Sequence, residues 1–130
     1  MSVTIRGNKE LMAELERRLG RAAMQRISDR ALQRGAEVFV NELKRQFETF
    51  RDTGESIKEI TVSEPMWIGK VRTIKVYWKG PKDRYRIIHL NEWGTVTNPN
   101  PRGKGAIARA MRNCERAYRE AIRQAIREGL

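Results

Sequence analysis

The chain has 130 residues, 39% hydrophobic and 33% charged, with 27 Lys and Arg against 16 Asp and Glu and a formal net charge of +11. That length suits one domain over residues 1-130, too apolar to be disordered yet polar enough to leave a thin core. A lone Cys114 and a single histidine exclude a disulfide framework or zinc cluster, and no apolar run reaches signal-peptide or membrane-span length, so a soluble protein that starts in the cytoplasm is expected.

Val3 and Ile5, two apart, predict a short strand broken by Gly7. Asn8 is placed to cap a helix carrying Leu11, Leu15 and Leu19 and ending at Gly20. From Arg21 to near Arg51, Leu32, Ala36, Phe39, Leu43, Phe47 and Phe50 recur every three or four residues, the stripe of a long amphipathic helix. Gly35 interrupts it at a cost of about 1 kcal/mol relative to Ala, which marks a place where another element can approach closely.

"RDTGESIKEI" ends that helix, with Asp52 or Thr53 able to cap a short turn and Gly54 giving backbone freedom. The period then becomes two: Ile60 and Val62 alternate with Thr61 and Ser63 up to Pro65, and Ile74, Val76 and Trp78 alternate with Lys75, Tyr77 and Lys79. Two antiparallel strands are predicted, with 64 to 72 as their connection. Val71 is out of phase with Ile74, so a bulge or late strand start is expected near Arg72.

Residues 83 to 93 place Ile87, Leu90 and Trp93 three apart behind Asp83, a short helix with a third strand as the alternative. After an irregular loop, Ile107, Met111, Cys114, Tyr118, Ile122 and Ile126 form one face of a last helix, widened by Ala110, Ala117, Ala121 and Ala125 and ending at Gly129. The order predicts an α+β fold, a small antiparallel β-sheet packed against two long helices plus shorter ones.

His89 is the natural proton-transfer candidate and Glu92 could contact it at i+3, but no nucleophile motif stands nearby, so an ordinary surface pair is the better reading. Gly103, Gly105 and Ala108 match G-x-G-x-x-A, yet "NPNPR" rather than a buried strand precedes them and no strand follows. Glu14 to Arg18 and Glu115 to Arg119 read as solvated i,i+4 pairs. Arg109, Arg112, Arg116, Arg119, Arg123 and Arg127 line the polar face of the last helix, where they can track phosphates or pair with acidic groups of a neighbouring protein. Trp78 is expected in the core, while Trp67 and Trp93 are candidate interface anchors.

Three stretches occur in order: an opening strand and "LMAELERRL" before a long helix ending in "FETFRDTGESIKEI", with Thr53, Gly54, Ser56 and Ile57; then "NEWGT", Asn91 to Thr95; then Pro99 and Pro101 before the Ala-rich last helix. Together, over nearly the whole chain, they resemble the tail-completion (head-tail joining) family of long-tailed bacteriophages and prophages. The loop "NPNPRGKGAI" departs from that family's pattern in lacking an aromatic residue before the last helix.

The resemblance implies an α+β fold assembled as a ring, with six subunits expected, at the head-proximal end of the tail tube. Such a protein ends tube growth and docks the filled head. The implied partners are further copies of the chain, the major tail tube protein and a head-closure connector, with DNA passing nearby and no membrane. The implied location is the virion head-tail junction after assembly in the host cytoplasm, with no cofactor and no catalytic residue. Contact surfaces are expected in the 95 to 105 loop, the last helix and the 64 to 72 connection, which include Trp67, Arg102, Lys104, Arg109, Arg112, Arg116 and Arg119, with Trp93 just before the loop as a further contact residue. The rival reading is a basic nucleic-acid-binding module built on the Arg-rich last helix.

Overall fold

The opening alternation becomes strand β1 (Ser2–Arg6) and the leucine-spaced segment becomes helix α1 (Lys9–Leu19), in a computed structural model that describes residues 2–48, 55–81, 88, 92 and 104–129. The Asn8 side-chain oxygen accepts the Leu11 amide at 2.9 Å, satisfying one of the amides that a first helical turn leaves without a partner. Gly20, at φ 91°, turns the chain directly into helix α2 (Arg21–Glu48). A side chain would be strained at that angle.

Along α2 the stripe of Leu32, Ala36, Phe39, Leu43 and Phe47 is buried, as its spacing requires; Phe50 lies outside the described residues. One helical turn, α3 (Glu55–Lys58), leads into the sheet, and its candidate caps Asp52 and Thr53 also lie outside the described residues.

The centre of the sheet is β4 (Val71–Trp78). On one side β1 runs antiparallel to it, with Ile5 opposite Ile74 and Val3 opposite Val76. The other side is shared by β2 (Ile60–Val62) and β3 (Met66–Ile68), both antiparallel to β4. Thus the 64 to 72 segment is not a plain connection: it contains β3, which folds back on β4 through Gly69 and Lys70.

The expected irregularity near Arg72 also moves. Val62 opposes Val76 while Met66 opposes Thr73, so residues 63 to 65 face only 74 and 75. The extra residue is a bulge on the edge, not in β4, and Pro65 falls in it, where its missing N–H costs no ladder bond. Ser63 stitches the bulge to β4: its amide donates to the Lys75 carbonyl and its hydroxyl accepts the Lys75 amide, each at 2.8 Å.

Ile5, Ile74, Val76 and Trp78 meet α2 and the last helix, α4 (Ala106–Gly129), in the main core. Trp78 stacks on Phe47 at 5.9 Å between ring centroids, and its Nε1 donates to the Ser56 carbonyl at 2.9 Å. A second cluster, Met12, Leu15, Met24 and Ile27 with Val71, fastens α1 to α2. Each fully buried large apolar side chain contributes about 1.5–3 kcal/mol relative to exposure, so packing rather than intrinsic propensity holds the long helices.

Ile107, Ala110, Cys114 and Ala125 of α4 are buried, with Tyr118, Ile122 and Ile126 half-buried. Met111, expected on this face, is instead 46% exposed, and Ala117 is exposed too. Both flank the narrow strip that touches α2, the main neighbour of α4, so the apolar face is wider than the contact it makes. Gly35 has the close neighbour its place in the stripe suggests: a Cβ there would collide with the Tyr118 ring, whose Cδ2 would lie 2.9 Å away. Of the expected short helix, Ile88 and Glu92 are helical and buried, Ile88 within the main core; Ile87, Leu90 and Trp93 lie outside the described residues.

Candidate interaction surface

Helix α4 begins with Ala, Ile, Ala and has no acidic residue in its first turn, so nothing local neutralises its N-terminal amides. Glu92 does so from a distance. Its Oε1 accepts the Ile107 amide at 2.8 Å, its Oε2 accepts the Ala108 amide at 3.3 Å, and its backbone carbonyl accepts the Gly105 amide at 2.9 Å. Glu92 is 5% exposed and its carboxylate is tied to a helix end; His89, its candidate contact at i+3, lies outside the described residues. The same contacts occupy the Gly105, Ile107 and Ala108 amides, three within the G-x-G-x-x-A match; Gly103 lies outside the described residues. The missing acidic residue at the start of α4 was the sequence signal that a carboxylate had to come from elsewhere.

The six arginines of the last helix fall into distinct roles. Arg109 is half-buried and used within the fold: Nε donates to Gln46 Oε1 at 3.0 Å and Nη1 to the Lys104 carbonyl at 2.6 Å. Arg119 pairs with Glu115 at 2.5 Å and Arg123 with Glu120 at 2.8 Å, both in solvent, where such pairs contribute about 0–1 kcal/mol. Arg112, Arg116 and Arg127 are exposed and have no acidic partner among the described residues. Lys104 is exposed in the turn before α4, whereas Arg102 and Trp93 lie outside the described residues.

Between β1 and α4 runs a groove of about 460 Å³. Its floor is apolar, from Ile5, Phe39, Met111, Cys114 and Tyr118, and Arg6, Arg112 and Arg119 stand at its rim with Glu115. Burial pushes the Cys114 thiol up, with the Glu42 charge adding to it, and burial likewise raises Tyr118, so the floor stays uncharged at neutral pH.

Trp67 lies elsewhere. It is 37% exposed on β3, between the guanidinium of Arg72 at 4.9 Å and that of Arg21 at 5.2 Å from its ring. It faces a depression lined by α1, the start of α2 and the β3–β4 turn, including Met12, Met24 and Lys70, which shares no lining residue with the β1–α4 groove. Beneath the ring, Arg72 is buried and makes a bidentate pair with Asp29 of α2 at 2.8 and 2.9 Å, and it also donates to the Pro65 carbonyl at 3.3 Å. Of the expected contact residues, Trp67 therefore lies on one surface and Arg112 and Arg119 on another.

Among the described residues no three His, Cys, Asp or Glu side chains are placed to hold a metal ion, and no helix is long and apolar enough to cross a membrane. Comparisons of the chain with protein-family models, with curated proteins and with solved structures give no match.

Proposed function

We propose that this chain is a structural virion protein that completes the tail of a long-tailed bacteriophage or prophage particle and joins it to the head, acting as a ring of copies between tail tube and head connector. The observation that carries this reading is the role of Glu92. It is the acidic residue of "NEWGT", and its carboxylate accepts first-turn amides of the Ala-rich last helix. A residue of the second stretch that resembles the joining family is thus bonded to the last helix, which belongs to the third. The α+β architecture, with an antiparallel sheet against two long helices, is also the one that the resemblance implies.

A ring needs heterologous contacts, one patch meeting a different patch on the next subunit. The Trp67 depression between β3, α1 and the start of α2 offers one such patch. The decisive experiment deletes the gene from an inducible prophage that carries it. Filled heads and finished tails should then accumulate unjoined, and purified protein should restore joining. Normal joined particles without the protein would overturn the reading.

A second reading rests on Arg112, Arg116 and Arg127, which are exposed, have no acidic partner among the described residues and could meet phosphates. A nucleic-acid module would bind duplex DNA as an isolated protein, with log affinity falling steeply against log salt; the joining protein should bind DNA only weakly at physiological salt.

A further inference from the structure

We propose that the outer edge of β1, together with α4, receives an extended acidic segment of another protein, which joins the sheet as a further strand. This goes beyond the joining role and stands without it.

The hydrogen-bond register of β1 defines its free edge. The Gly7 amide donates to the Arg72 carbonyl at 2.8 Å, and Ile5 opposes Ile74. In an antiparallel ladder every second residue turns both backbone groups toward the partner strand. Gly7, Ile5 and Val3 therefore face β4, and Ser2, Thr4 and Arg6 turn their N–H and C=O groups away from it. All three are exposed, and their outward backbone groups have no partner among the described residues. Such an edge is a template for strand addition.

The groove beside this edge selects the occupant. A strand laid along β1 would send alternate side chains onto the floor formed by Ile5, Phe39, Met111 and Tyr118, covering Met111, which is 46% exposed. Its remaining side chains would pass Arg6 and Arg112, neither of which has an acidic partner among the described residues. A segment alternating apolar and acidic residues satisfies both. A second copy of this chain, at +11, is the wrong sign. A nucleic acid could meet the arginines but offers nothing to a strand edge.

The test uses the full chain and a defined probe, an N-acetylated, C-amidated peptide of alternating Glu and Val, titrated by isothermal calorimetry and by amide chemical shifts. Binding should shift Thr4, Arg6 and residues 111 to 119. Thr4→Pro removes only an outward N–H, which edge strands tolerate, and should weaken binding at least tenfold. Arg6→Glu with Arg112→Glu should reverse the preference, favouring a peptide with Lys in place of Glu. Should Thr4→Pro fail to fold, N-methylation of alternate peptide amides on the unmodified protein's ligand must abolish binding instead. Absence of binding to the unmodified protein overturns the proposal. So does binding that ignores both backbone changes, displacement by oligo-dT at the same residues, or self-association through this edge in place of peptide binding.

Discussion

The carboxylate of Glu92 accepts the amide of Ile107 at 2.8 Å although the two residues are 15 apart in the chain, so the N-terminus of α4 is capped from another element. Glu92→Ala leaves the buried Ile107 amide and the neighbouring Ala108 amide without this partner, and should cost about 1–2 kcal/mol, the range for losing an N-cap. Urea unfolding measures the loss. Amide exchange should quicken first at residues 107 and 108, and a uniform loss of protection across α4 would argue against a capping role.

Gly35 and Tyr118 make a test with an unusual sign. Ala is favoured over Gly within a helix by about 1 kcal/mol, yet Gly35→Ala drives a methyl group into the Tyr118 ring. Overpacking costs roughly 1–3 kcal/mol, so the variant should be less stable than the parent. Combining it with Tyr118→Ala should turn the Gly35 substitution neutral or stabilising, and additive effects in the double variant would show that the ring is not the obstacle.

Asp29 supplies the counter-charge to a guanidinium that is almost fully buried. Asp29→Ala strands that charge with the Pro65 carbonyl and the Trp67 ring, and should destabilise by about 3 kcal/mol. Replacing both partners, as Asp29→Leu with Arg72→Met, should cost much less. A double-mutant cycle by chemical denaturation reads the coupling directly.

Acid should loosen the packing of α2 against α4. The Arg45 guanidinium, hydrogen-bonded to Glu42, holds the Glu42 carboxyl down to about 2; burial opposes this, and hydrogen bonds from Asn113 of α4 and from Gln46 assist. A carboxyl with a lowered folded-state pKa stabilises the fold above its unfolded value and loses that contribution as pH falls toward the folded one. Stability should therefore decline from about pH 4.5 to about 2. Arg45 is largely solvent-exposed, which screens the pair, so about 1 kcal/mol is expected from Glu42. Thermal melts of Glu42→Gln should show a shallower acid limb than the parent; an identical limb would remove Glu42 as the cause.

Arg102→Glu with Lys104→Glu tests the basic residues that precede α4 in the sequence, under the joining reading. Head-tail joining should fall while the melting temperature of the purified protein stays within a degree or two. Undiminished joining would take this segment out of the contact.

Much of the molecule is written in local patterns. The α2 stripe, the alternation of Ile74, Val76 and Trp78, the Asn8 cap, the Gly20 stop and the close approach at Gly35 all follow from spacing within one segment. Side-chain period and backbone permissiveness belong to the segment itself, so sequence alone determined them. The partners of those segments are a different matter. Glu92 could cap α4, and Asp29 could neutralise Arg72 43 residues away, only once folding brought them together. Likewise the edge bulge that admits Pro65, the exposure of Met111 and the open side of β1 depend on which surface lies opposite. Burial and hydrogen bonding are properties of two surfaces in contact, and only the tertiary structure brought those surfaces together.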